Sequence, residues 1–73
     1  MYRLEEVRKG TTCHVTWMLG ELAARIRAFA KIEPGSMLRV VQSLGGGWMV
    51  VAHEGKRYAL SPEASHVIWV STN

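Results

Sequence analysis

Between Lys31 and Val70 the chain cannot run more than about ten residues without meeting a turn signal. Pro34-Gly35, Gly45-Gly46-Gly47, Glu54-Gly55 and Ser61-Pro62 divide this stretch into four short runs rich in Val, Ile, Leu, Trp and Tyr. Such runs are too short for long helices, and their β-branched and aromatic content suits strands joined by tight reversals. A small antiparallel barrel is the architecture that this punctuation favours.

The first part of the chain has to fit that frame. Leu4 and Val7, set among charged residues, read as a short turn held to the core by two apolar side chains, ended by Gly10. Thr11 to Met18 alternates, with Cys13, Val15 and Trp17 in one phase and Thr12, His14 and Thr16 in the other, as in a half-buried first strand. The period then changes. Leu22, Ala23, Ile26, Phe29 and Ala30 recur at helical spacing, and Pro34 forbids continuation, which predicts a helix from near Glu21 to near Lys31. Its apolar stripe is expected to cover an open end or side of the barrel.

After Pro34-Gly35, where Pro fixes φ and Gly can take a positive one, Met37 to Leu44 is predicted as the second strand, with Leu38, Val40 and Leu44 in one phase. Trp48 to His53 and Lys56 to Leu60 follow as the third and fourth, joined by hairpins. Ser61 can cap a single helical turn, Pro62 suits its first position and Glu63 complements its dipole. His66 to Val70 then resumes strand character, and the last three residues are expected to fray.

Seventy-three residues make one domain, 1–73, with a core that nets roughly 3–5 kcal/mol. One cysteine excludes an intrachain disulfide, and no apolar run approaches the ~20 residues that span a bilayer. A cytoplasmic protein without membrane insertion is the expectation. The formal charge of +3 comes from nine Lys and Arg against six acids, all Glu. The cations are scattered along the sequence, so nucleic acid is not an expected partner.

Candidate chemistry is sparse. Isolated Glu residues on turns and a helix form no acid–base pair, and no nucleophile stands beside a base, so an enzyme is not expected. The Gly45-Gly46-Gly47 run precedes a strand instead of the helix that a phosphate loop requires. Cys13, His14, His53 and His66 are the soft and imidazole ligands, a possible weak site for Fe2+ or another divalent metal. Against this, Cys13 and His14 are adjacent and so point to opposite faces of a strand, and neither His53 nor His66 has a close-spaced second ligand. A packed Cys13 thiol and structural histidines are the competing assignment.

The more informative feature is apolar residues out of phase. With Met49, Val51 and His53 inward, Trp48 and Val50 face out; with Ile68 and Val70 inward, Val67 and Trp69 face out. Such side chains are either covered by the inserted helix or left for a partner. Trp48, Val50, Trp69 and Arg57 are therefore the candidate partner-binding residues, with self-association through the two indoles as one form of it.

The order of these signals resembles the FeoA family, small cytoplasmic accessory proteins of bacterial ferrous-iron uptake whose domain also occurs fused to iron-dependent repressors. The matching pieces are Leu4 with Gly10, Arg25-Ile26, Pro34-Gly35-Ser36 with Leu38 and Val40-Val41, and Leu44-Gly45-Gly46. Gly55 to Leu60, Glu63-Ala64 and Ile68-Trp69-Val70 complete the likeness. It implies a mainly β, SH3-like barrel with one α-helix inserted after the first strand and a short helical turn before the last. It also implies a non-catalytic accessory protein docking on the GTPase-bearing part of the ferrous-iron permease FeoB and modulating transport, with a weak iron carrier as the alternative. Family members carry a Gly between the helix and the Pro-Gly turn, where this chain has Ala30-Lys31, and an aliphatic residue where it has His53.

Overall fold

The computed structural model describes residues 1–72. Six antiparallel strands form one sheet: β1 (Tyr2–Arg3), β2 (Thr12–Met18), β3 (Met37–Gly45), β4 (Trp48–His53), β5 (Lys56–Leu60) and β6 (Ile68–Ser71). Their order is β1-β6-β2-β3-β4-β5, so the last strand closes back between the first two. A 3-10 turn (Leu4–Glu6) follows β1, while α1 (Glu21–Ala30) is inserted between β2 and β3 and α2 (Pro62–His66) precedes β6. This is the SH3-like arrangement that the FeoA resemblance implies, with helix α2 packed against the 3-10 turn, β4, β5 and β6.

Turn chemistry accounts for the hairpins. Gly46 and Gly47 both take positive φ, +62° and +90°, which lets β3 reverse into β4 with the twist that strands prefer. Gly47 also lies against α2: a methyl group there would stand 3.0 Å from Pro62 Cβ. The Pro34–Gly35 turn is fixed to β2 by reciprocal bonds, Gly35 N–H donating to Val15 O and Val15 N–H to Ser36 O, both at 2.8 Å. At α2, the Ser61 hydroxyl accepts from Ala64 N–H at 3.2 Å and Pro62 occupies the first helical position.

The core is one cluster, with Leu4, Ile32, Leu38, Val40, Met49, Val51, Ile68 and Val70 fully enclosed. Ala23, Ile26 and Ala30 of α1 belong to it, so the helix does cover the barrel interior. Phe29 does not. It is 75% exposed, only its ring meeting Tyr58 edge-on at 5.8 Å, because the buried helical face is the narrow 23/26/30 line of small and branched residues.

Three strand phases depart from simple alternation, each at an irregular register. Between Val15 and Trp17 the pairing of β2 with β6 shifts, so Met18, not Trp17, joins Cys13 and Val15 inside. Val41 is skipped in the β3–β4 pairing, as is Leu44, which leaves Leu44 exposed instead of in phase with Leu38 and Val40. His66 belongs to α2 and not to the last strand, and Ser71, expected to fray, pairs with His14 in β6; Asn73 lies outside the described residues.

Helix α1 exits through Lys31, a non-glycine residue at φ +60°, ψ +24°, whose N–H still donates to Arg27 O at 2.9 Å. This is the left-handed position that favours glycine at helix ends. Lys31 takes it up without glycine's freedom from a Cβ.

Candidate functional site

The shifted register of β2 creates the most developed surface feature. Trp17 and Trp69 are directly paired across β2 and β6, and Arg3 is paired with Trp69 across β1 and β6, so three side chains share one outer row. The indoles are stacked, ring centres 5.8 Å apart and planes 8° from parallel, and the Arg3 guanidinium carbon lies 4.5 Å from the centre of a Trp69 ring. Thr16 Oγ1 donates to Trp69 O at 3.0 Å, tying the bulge of β2 to β6. The Trp17 ring is 41% exposed at the open end of this stack.

Such a stack is stiff. Each aromatic or cation–π pair adds about 0.5–1.5 kcal/mol beyond area burial, and a planar side chain already fixed loses little entropy when something docks on it. The outer row thus presents a rigid apolar plate with one cation at its edge, a composition that suits contact with another protein.

The candidate partner residues are spread over three strands. Trp69 of β6 is half-buried inside the stack, whereas Trp48 of β4 is 47% exposed, paired with Gly45 at the β3–β4 hairpin. Val50, half-buried, faces out beside Ala59, and Arg57 lies on the outer face opposite Ala52. The inserted helix covers the interior and leaves Trp17 and Trp48 exposed. Arg3 and Trp17 were not candidates from sequence: β1 is too short to show a period, and the bulge that turns Trp17 outward leaves no mark in the alternation.

The four candidate metal ligands stay apart. Among the described residues no three His, Cys, Asp or Glu side chains gather into a metal-holding group. Cys13 is fully enclosed in the core, and burial pushes its thiol up to about 11, which keeps it a neutral and poor ligand. His14, next to it, faces the opposite side, paired between Met37 and Ser71.

His53 is 5% exposed at the base of an open groove of about 760 Å³ between the Pro34–Gly35 and Glu54–Gly55 turns. Its Nδ1 lies 3.1 Å from Met37 O and its Nε2 3.3 Å from Lys31 O, so both ring nitrogens face backbone carbonyls. A neutral imidazole donates from one nitrogen only, so in either tautomer the ring bonds one of these carbonyls, Met37 O at the start of β3 or Lys31 O at the helix exit, which an aliphatic residue could not do. His66 Nδ1 sits 3.4 Å from Glu5 Oε2 on the surface. Neither histidine has a hydroxyl or thiol in hydrogen-bond contact among the described residues. No helix among these residues is long and apolar enough to cross a membrane.

Comparison with solved structures agrees with this architecture. The chain superposes on the crystal structure of an iron uptake regulatory protein, FeoA, with a TM-score of 0.82 and 21% identity over 96% of this chain and 93% of that one. The solution structure of an FeoA protein from Chlorobium tepidum gives 0.79 and 22%, over 96% of this chain and 69% of that one. A manganese-dependent transcriptional repressor is 27% identical with a TM-score of 0.86, over 97% of this chain but 41% of the repressor, so the chain spans about two-fifths of that protein. No protein-family model matches the sequence, and no curated protein matches it significantly. The fold is FeoA-like.

Proposed function

We propose that the protein is a non-catalytic accessory component of cytoplasmic ferrous-iron uptake that docks on the GTPase-bearing part of an FeoB-like permease and modulates transport. The observation that carries this reading is the Arg3–Trp69–Trp17 stack on an FeoA-like fold. An enzyme invests its organised side chains in an interior cleft where charge can be stabilised away from water. Here the organised side chains stand on the outside of the sheet, held flat by cross-strand pairing.

Docking by the stack needs no rearrangement of the barrel, because its members are fixed by β1, β2 and β6. The weak-carrier alternative draws less support, since Cys13 is enclosed and both His53 nitrogens face carbonyls. The test is a pull-down of the purified permease GTPase domain, without nucleotide and with GDP or a non-hydrolysable GTP analogue. Binding in at least one state is expected, and retention in none refutes the reading. Anaerobic titration with Fe2+ separates the carrier: submillimolar affinity lost on His14→Ala or His66→Ala would replace docking with ion transfer.

A further inference from the structure

The cations look scattered along the sequence, but the fold gathers three of them. Arg39 of β3 is paired with Ala52 of β4, and Ala52 with Arg57 of β5, so the two arginines flank a methyl group on the same outer face. Adjacent strands lie about 4.8 Å apart, which places the two arginine Cα atoms about 10 Å from each other, with nothing larger than Ala52 between them. Lys9 approaches from the loop before β2, where Gly10 N–H donates to Val40 O at 2.7 Å. Together Lys9, Gly10, Arg39, Val40, Val41, Ala52 and Arg57 line an open surface depression of about 200 Å³, with all three cations exposed to solvent.

Every charged residue of that lining is positive. None of the three cations has a carboxylate within 4.0 Å among the described residues: the close pairs are Arg27–Glu33, His53–Glu54 and His66–Glu5. Glu6, meanwhile, accepts from Arg3 N–H. Like charges brought together without an acid between them are an arrangement that folding alone disfavours and an anion relieves.

We infer that Lys9, Arg39 and Arg57 form a binding site for a phosphoryl dianion, either free phosphate or the terminal group of a small phosphomonoester. Two guanidinium groups, each able to bond an oxyanion in bidentate fashion, and one ammonium suit the several oxygens of a phosphoryl group, and a dianion offsets more of the local charge than a carboxylate does. Size narrows the class further. At about 200 Å³ the depression lies below the roughly 300–1,000 Å³ of sites that hold whole drug-sized ligands, which suits a single small anionic group. The site lies on β3, β4 and β5, away from the Trp stack on β1, β6 and β2, and it needs no docking partner.

The experiment is a titration of the 15N-labelled full chain at constant ionic strength with inorganic phosphate, phenyl phosphate, acetate and a short single-stranded oligonucleotide. Saturable shifts at Ala52 and Val41 with phosphate or phenyl phosphate, half-complete at low millimolar or below, are expected. The stronger of the two identifies the source. Arg39→Gln and Arg57→Gln each weaken the affinity at least about tenfold, while Lys56→Gln, outside the lining, changes it less than twofold. The amide spectrum of each variant establishes that it is folded. Unsaturable shifts, equal response to acetate, insensitivity to both Arg variants, or oligonucleotide affinity that grows with strand length would each overturn the site.

Discussion

Which of Trp17 and Met18 faces the core decides whether the surface stack exists, and lysine substitution separates the two possibilities sharply. Met18 is 3% exposed within the core cluster, so Met18→Lys forfeits about 2–3 kcal/mol of apolar burial and sets an ammonium among hydrocarbon at a further cost of several kcal/mol. A domain of this length has about 4–11 kcal/mol in total, and small cores lie at the low end. The M18K chain is therefore expected to be unfolded at 25 °C. Trp17→Lys loses one stacked pair and part of a half-exposed ring, while the lysine stem can lie over Trp69. Its cost is about 1–2 kcal/mol, or roughly 5–15 °C in Tm for so small a domain. Far-UV circular dichroism with thermal and urea denaturation reads both. A folded M18K together with an unfolded W17K would show that β2 alternates without interruption, and the stack would vanish with the bulge.

Other outcomes follow from single positions. Lys31→Gly removes a left-handed strain at the exit of α1 and is expected to stabilise by about 0.5–1 kcal/mol, seen as a higher urea midpoint; a lower one would mean that the lysine stem matters more than the backbone. Gly46→Ala adds a methyl group into open space at φ +62° and should cost about 1 kcal/mol, whereas Gly47→Ala at φ +90° also meets Pro62 and should cost about 2–3 kcal/mol. Equal midpoints for the two variants would contradict the hairpin–α2 contact. Because the Cys13 thiol is raised from 9.0 to about 11, the unfolded chain loses its proton first as pH rises, so the contribution of Cys13 to stability is complete below pH 9 and disappears by about pH 11. The difference in urea stability between the natural chain and Cys13→Ala should shrink over that window by at most about 3 kcal/mol, and a constant difference would argue that the thiol is not buried.

Much of the fold was legible because local chemistry and global arrangement agree. Ser61-Pro62-Glu63 specifies the start of α2 by capping, and Met49, Val51 and His53 alternate inward because β4 is regular except at its hairpin end. Ile68 and Val70 do the same in β6. What stayed hidden depends on pairing between strands distant in sequence. A bulge changes phase without changing composition, so strict alternation puts Trp17 and Leu44 on the wrong face. Helical periodicity placed Phe29 on the apolar stripe, yet the core ends at the line of Ala23, Ile26 and Ala30. The Arg3–Trp69–Trp17 row joins β1, β6 and β2, and the Lys9–Arg39–Arg57 cluster joins a loop to β3 and β5. Neither spacing is written along the chain. His53 stood out as the titratable member of an apolar phase, and the backbone carbonyls facing its ring supply the reason for its place there.

The most direct measurement of the docking account is calorimetric titration of the permease GTPase domain with the natural chain and with Trp17→Lys, once the variant is shown to be folded. Central aromatic contacts contribute about 2 kcal/mol or more, so the variant should bind about 30-fold more weakly or not at all in the nucleotide state that the natural chain prefers. Equal affinity of the two chains would contradict the assignment of the Trp stack as the contact surface, and absence of heat with the natural chain in every nucleotide state would contradict docking itself.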